Sequence, residues 1–234
     1  VCFDNLLYAK FTKCKVDFDF KQLDKGLDWM AGNFANVVKG SGGGKIGLGD
    51  IYYFLYGIER VGLACGYKYF GSADWYKLGA ERLLAAQQPN GAWRGKWSEV
   101  VSTSLAMLFL VRGQHPVAFN KLEFKGDWNN RPRDLAQLTR WQTGSFERTL
   151  NWQVINLKVP VEEWHDAPIL YIAASDAPEF SEADLQKLRL YIHQGGTILS
   201  ATECGGNGFR EGIREVYKKI LPGYELLPVP ANHP

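Results

Sequence analysis

The sequence predicts two successive parts, an all-helical region up to about residue 125 and an α/β region from there onward. Three observations predict it. From Asp50 to about Arg112 the apolar residues recur with a helical period. Lys125 to Arg133 then breaks the pattern with a polar stretch holding one tryptophan and one proline. Beyond it, short β-branched and aromatic runs alternate with amphipathic helical patterns, the signature of a parallel sheet with crossover helices. A chain of 234 residues has room for two modest domains, here 1–125 and 126–234.

In the first part, Phe20 to Val38 reads as a helix, and Ile51 to Cys65 as another that is apolar around most of its circumference, as a helix buried between others would be. Tyr76, Ala80, Leu83, Leu84 and Gln87 mark a third, and Val101, Leu105, Leu108 and Phe109 a fourth. Between these two, Pro89 and the pair Asn90-Gly91 stop one helix and turn the chain. In the second part Asp134 to Trp141 is helical, and Trp152 to Val159 and Pro168 to Ala174 are strands. Ser181 with Asp184 forms a variant capping box that opens a helix along Leu185, Leu188 and Ile192, and Gly195-Gly196 closes it. Thr197 to Ala201 is the next strand, and Ile213, Val216, Tyr217, Ile220 and Leu221 mark a last helix.

Composition narrows the function classes. With 46% hydrophobic and 22% charged residues, disorder and fibrous architectures are excluded, and 14% aromatics imply a well-packed core or an aromatic-lined cavity. A net charge of +2, with basic residues spread along the chain, argues against a nucleic-acid surface. No apolar run is long enough to span a bilayer. The start at Val1 and the ending Pro228-Val229-Pro230-Ala231-Asn232-His233-Pro234, which reads like the approach to another strand, mark the chain as a fragment. The four cysteines, Cys2, Cys14, Cys65 and Cys204, are too sparse for a disulfide scaffold and read as thiols. With His115, His165, His193 and His233 they form no recognisable metal spacing, so neither a metal nor a cofactor is expected.

Gly40-Ser41-Gly42-Gly43-Gly44-Lys45 suggests a phosphate loop but fails its pattern: Ile46 stands where Ser or Thr is required, and a helix precedes it. It reads as a linker. Asp127, Trp128, Arg131, Arg133 and Asp134 form a dense polar knot, suited either to a ligand or to tying domains through carboxylates and helix-terminal carbonyls. Cys204 follows a strand and precedes Gly205-Gly206 and a helix, a place where a turn exposes a thiol and a helix N-terminus stabilises its thiolate.

Gly79-Ala80, Gln88, Gly91 and Trp93 resemble the glutamine-tryptophan repeat of squalene and oxidosqualene cyclases, departing from it at Leu83. The resemblance implies an α/α-toroid-like module, shared in architecture with prenyltransferases, in which Gln88, Gly91 and Trp93 stitch helix ends together. The cyclases' Asp-x-Asp-Asp acid is missing, since Asp17-Phe18-Asp19 continues into Phe20 and Lys21. From Tyr52 onward the chain also resembles planctomycete-type bacterial proteins that place such a module before a domain of unknown function 4159. The segments that carry this are Tyr56-Gly57-Ile58-Glu59-Arg60-Val61-Gly62, Asp74-Trp75-Tyr76, Trp128-Asn129-Asn130-Arg131-Pro132-Arg133-Asp134-Leu135 and Leu188-Arg189-Leu190-Tyr191-Ile192-His193-Gln194-Gly195-Gly196. It implies a second domain related in fold to class I glutamine amidotransferases and cut short at its C-terminus, and favours the bacterial cell envelope over the cytoplasm. Glu203 replaces the glycine expected before an amidotransferase nucleophile.

The sequence therefore leads to a non-catalytic module that binds an unidentified ligand or protein partner. The alternative is a cysteine-dependent hydrolase or amidotransferase centred on Cys204, and a terpenoid cyclase or prenyltransferase is more distant.

Overall fold

The computed structural model describes residues 21–40, 51–112 and 115–233. Asp17-Phe18-Asp19, Ser41 to Lys45, Cys2 and Cys14 lie outside them. The chain divides into two compact units, one running up to Val117 and taking in Leu138–Ile155, the other made of Ala118–Gln137 and the residues from Asn156 onward.

The helical unit contains α1 (Lys21–Lys39), α2 (Ile51–Cys65), α3 (Trp75–Ala86) and α4 (Glu99–Arg112). It is not wholly helical. A two-residue antiparallel hairpin, β1 (Tyr69–Phe70) and β2 (Ala73–Asp74), turns at Gly71, which takes φ +66°, and Tyr67 bridges Val154. Runs this short carry no readable alternation, so the sequence leaves them among the helices. The core is aromatic: Phe34, Phe70, Trp75 and Phe109 are all nearly inaccessible. A Cβ at Gly62 would meet the indole of Trp75, so the missing side chain is what lets α2 approach.

Each buried indole N–H of this core has an acceptor, Tyr67 O at 2.8 Å for Trp75 and Leu83 O at 2.8 Å for Trp93. Trp93 is 3% exposed, and its backbone N–H donates to Thr103 Oγ1 at 3.0 Å. Where α3 ends, Gln88 Nε2 donates to Ala86 O and Gln87 Nε2 to Gly91 O, and Gly91 turns the chain at φ +83°. The first of these bonds occupies a carbonyl that the end of α3 leaves open, and the second closes the turn beyond it.

In the α/β unit β3 (Val117–Glu123), β5 (Ile169–Ala174) and β6 (Thr197–Thr202) run parallel, in the order β3-β5-β6. Lys121 is the register partner of Tyr171, and Ala174 of Thr202. α5 (Asp134–Phe146) follows the polar junction and begins in this unit, whereas β4 (Asn151–Asn156) falls in the helical unit up to Ile155. β4 stops short of the expected Val159 because Asn156 Oδ1 accepts the Lys158 N–H at 3.0 Å and turns the chain. A 3-10 turn, Val161–Asp166, leads into β5. α6 (Glu182–His193) carries β5 to β6, and α7 (Asn207–Ile220) follows β6.

The capping box of α6 is complete: Ser181 Oγ accepts the Asp184 N–H while Asp184 Oδ2 accepts the Ser181 N–H. Leu185, Leu188 and Tyr191 of α6 are buried, as are Phe209, Ile213, Val216 and Ile220 of α7. The Tyr217 hydroxyl meets Ser200 Oγ of β6 at 2.6 Å. Among the described residues no helix is long and apolar enough to cross a membrane.

Candidate functional site at the carboxyl edge of the parallel sheet

Side chains alternate between faces along a strand, so the register partners Lys121 and Tyr171 point to one side of the sheet. A lysine in the middle of a strand has to find anions there or lose its charge. Lys121 is 1% exposed, and its Nζ donates to Asp134 Oδ1 at 2.9 Å and to Arg131 O at 3.0 Å. Its ammonium also lies 5.9 Å from the centre of the Trp128 ring, within cation–π range. Asp134 is the first residue of α5, where a carboxylate meets the positive end of the helix dipole, and its Oδ1 also accepts the Leu135 N–H.

The next layer lies where the strands end. Asp127 Oδ2 accepts from Ser175 N at 3.0 Å and from Asn130 Nδ2 at 2.8 Å, and its Oδ1 from Asp176 N at 3.4 Å. Burial pushes this carboxyl up, but the hydrogen bonds from Asn130, Ser175 and Asp176 outweigh it and hold it below the usual range. Asn130 Nδ2 gives its second hydrogen to Ser175 Oγ at 3.0 Å. Asp127 thus fastens the junction loop to the backbone that follows β5.

Glu203 continues β6 by one residue, its N–H donating to Ala174 O at 2.9 Å. It is 4% exposed, and both of its carboxyl oxygens are buried. Burial raises its pKa and the negative charge of Asp134 adds to the rise, while Lys121 first, and then the Asn130 side chain and the Arg131 charge, oppose it. The Tyr171 hydroxyl is pushed up as well, by burial and by the neighbouring Asp134 and Glu203 carboxyls.

Of the knot predicted from sequence, Asp127, Trp128 and Asp134 come together with Lys121 at this edge. Arg131 contributes its carbonyl, which also accepts the Asp134 N–H, while its side chain is exposed. Arg133 is half-buried and its carbonyl accepts the Gln137 N–H. Lys121, Tyr171, Ser175 and Asn130 were not singled out by sequence reasoning, and Glu203 only as a departure from a motif. The signal available for Lys121 was one cation inside Val117-Ala118-Phe119-Asn120-Lys121-Leu122, a run that is apolar apart from it and Asn120.

Cys204 follows directly, half-buried, in the turn between β6 and α7. The reversal falls one residue earlier than Gly205-Gly206 suggests: Cys204 itself takes φ 54°, in the left-handed region that favours glycine, and Gly205 takes φ +69°. Gly206 has φ −66° and is needed for closeness, because a Cβ there would run into the Ser175 carbonyl oxygen. Cys204 is disulfide-bonded, and the Cys65 thiol, outside any disulfide, donates to the Gly62 carbonyl at 3.7 Å.

Two histidines can be placed by topology. His165 Nε2 is 2.9 Å from Gln194 Oε1, and His193 ends α6, so both lie where β5 and β6 begin. Cys204 lies where β6 ends, a strand of six residues away, or about 20 Å at ~3.3 Å per residue. Neither is a base for that sulfur. Among the described residues no group of three or more His, Cys, Asp and Glu is arranged to hold a metal ion.

The family model described as Domain of unknown function (DUF4159) matches residues 118–234. The chain belongs to that family. The match begins within β3, so the DUF4159 domain takes in Lys121, the junction loop, Glu203 and Cys204, and the polar edge lies entirely inside it. No curated protein matches the chain, and no solved structure matches it.

Proposed function

We propose that this chain is a ligand- or partner-binding module without chemistry of its own, and that it binds at the carboxyl edge of its parallel sheet. The observation that carries this is the buried Lys121–Asp134 pair with the buried Glu203 carboxyl beside it, at the edge where open parallel sheets hold ligands. The strand-helix-strand order and the tight turn before α7 support a fold related to class I glutamine amidotransferases. The bonds around Gln88, Gly91 and Trp93 support a toroid-like packing module ahead of it. Disulfides persist in oxidising compartments, so the one at Cys204 supports the bacterial cell envelope over the cytoplasm.

A cysteine-dependent hydrolase is the second reading. The left-handed backbone of Cys204, between a strand and a helix N-terminus, favours it. Against it stand the sulfur already committed to a disulfide and the placement of His165 and His193 at the other edge of the sheet.

The test has two arms on the intact chain. Glutamine and a glutamine analogue are offered with and without a reductant, and a thermal-shift panel covers organic cations, organic anions and sugars. The expected result is no hydrolysis in either redox state and a rise in melting temperature with at least one class, reduced in Trp128→Ala. Turnover that is lost in Cys204→Ser, or a panel in which nothing stabilises the chain, overturns the proposal.

A further inference from the structure

Among the described residues β6 pairs with β5 alone, and its other side is bare. The N–H groups of Thr197 and Glu203 donate to Pro168 O and Ala174 O, on the β5 side. Backbone groups alternate along a strand, so those of Leu199 and Ala201 point to β5 as well, and those of Ile198, Ser200 and Thr202 point outward. Among the described residues no hydrogen bond reaches the backbone of this outer row. Proteins ordinarily guard such an edge with a charge, a proline or a bulge. β6 has neither charge nor proline in Thr-Ile-Leu-Ser-Ala-Thr, and it pairs with β5 through all six residues without a bulge. Leu199 is 43% exposed on it.

The same chain carries a segment that lacks a sheet. Past α7 the Tyr224 N–H closes a turn on Leu221 O at 3.1 Å, and the chain then runs on without helix or strand. Tyr224, Leu226, Leu227 and Val229 are 77%, 60%, 76% and 74% exposed. Among the described residues the peptide groups of Glu225, Leu226 and Leu227 have no hydrogen-bond partner. Apolar side chains this open, on a backbone with its donors and acceptors unused, are what an added strand needs. Pro222 and Pro228 bracket residues 224–227 and limit the ladder to that length, since neither has an N–H to give.

We propose that the outer side of β6 docks a second copy of this chain, whose residues 224–227 add to it as a further strand. Each copy offers both the edge and the segment, so a reciprocal exchange closes as a pair and needs no foreign partner. Side chains alternate along the added strand, which puts Tyr224 and Leu226 on one face and Glu225 and Leu227 on the other. On β6 the Ser200 hydroxyl meets Tyr217 of α7, so Leu199 lies on the face away from α7. That face is the wetter one, with Thr197 and Leu199 exposed against half-buried Ile198 and Ser200. The charge of Glu225 belongs there, and Leu227 then covers Leu199. This contact lies along the side of the sheet rather than at the carboxyl ends of its strands, so it goes beyond the binding function proposed above and does not rest on it.

The test follows the intact chain through a concentration series, with mass read by sedimentation equilibrium and amide hydrogen exchange read residue by residue. The expected mass rises from one chain toward two. The amides of Ile198, Ser200 and Thr202 should exchange freely at the lowest concentration and slow by about ten-fold once about nine-tenths of the edges are covered. Those of Leu199 and Ala201, which face β5, should be slow throughout. Leu199→Lys sets a charge on the edge, and Leu227→Asp sets one on the segment. Both side chains are exposed in the single chain, so each variant should keep the parent's melting temperature at the lowest concentration while losing the association. A mass of one chain at every concentration overturns the proposal. So does association that survives Leu227→Asp, which would mean contact through another surface. Outward amides already protected in the single chain would place its own segment on β6 and overturn it too.

Discussion

Each of the two compact units holds a lysine against an aspartate at the start of a helix, with an aromatic ring beside the ammonium. In the helical unit Lys68 Nζ stands 3.8 Å from Asp74 Oδ2 and 5.3 Å from the Tyr69 ring centre, and Asp74 Oδ1 caps α3 through the Lys77 N–H. In the α/β unit Lys121 Nζ stands 2.9 Å from Asp134 Oδ1 and 5.9 Å from the Trp128 ring centre. The side chains differ in what water can reach: 9% and 23% exposed for the first pair, 1% and 15% for the second. The same motif is therefore a helix-cap accessory in one place and a buried charge centre in the other. Beside the second lies a further acid, Glu203.

The largest effect should come from breaking the buried pair. Lys121→Met keeps the length of the side chain and removes its charge, leaving Asp134 and Glu203 facing each other without the cation. The expected loss in a urea unfolding experiment is about 3–5 kcal/mol, as for a buried pair deprived of one partner. Lys68→Met should cost about 1 kcal/mol or less, because Asp74 keeps its contact with water and its cap to Lys77. Equal losses for the two variants would show that burial is not what separates them.

The helical unit takes its stability from aromatic joints rather than from ions, so the matching damage there requires a tryptophan. Trp93→Ala empties the joint between α3 and α4 and strands the Leu83 carbonyl that its indole N–H served. About 3–5 kcal/mol is expected, measured by urea or thermal unfolding. A variant as stable as the parent would remove Trp93 from the argument and leave Lys68 as a rival support.

How much of this was legible depended on the range of the interaction. Trp93 and Gly91 were legible because the turn that uses them is local, and Pro89-Asn90-Gly91 announces it. The capping box at Ser181 was legible for the same reason. Of the helix face read as Leu185, Leu188 and Ile192, the first two are buried, and Tyr191 rather than Ile192 is buried with them. β3 was not read as a strand, since Asn120 and Lys121 interrupt its apolar run and the partners that justify them are far along the chain: Trp164 O for the Asn120 amide, and Asp134 for Lys121. Glu203 was noticed only as a departure from a motif. Its meaning needs β3, β5, β6 and the junction loop assembled around it, and no local pattern encodes that assembly.

The smallest effect tests the loop that carries Asp134 and Trp128 into place. Asp127 is an internal anion, accepting the Ser175 and Asp176 N–H groups just past β5 as well as the Asn130 amide. Its carboxyl is held below the ordinary value of 3.8. A carboxyl depressed in the folded state contributes stability above its unfolded value, and that contribution disappears as pH falls through the folded value. In Asp127→Asn one oxygen survives to accept from Ser175 N, but the new NH2 faces the Asp176 N–H, donor against donor, and nothing remains to titrate. The variant should therefore be about 1 kcal/mol less stable than the parent at neutral pH, at the low end for a charge-assisted bond because the group is partly exposed. The gap should close as pH is lowered past the depressed value, where the parent's carboxyl is protonated too. Urea titrations of both proteins at neutral and acid pH measure it. A gap that stays constant through that range would mean that Asp127 acts through shape rather than charge, and that the loop does not depend on its ionisation to hold Asp134 over Lys121.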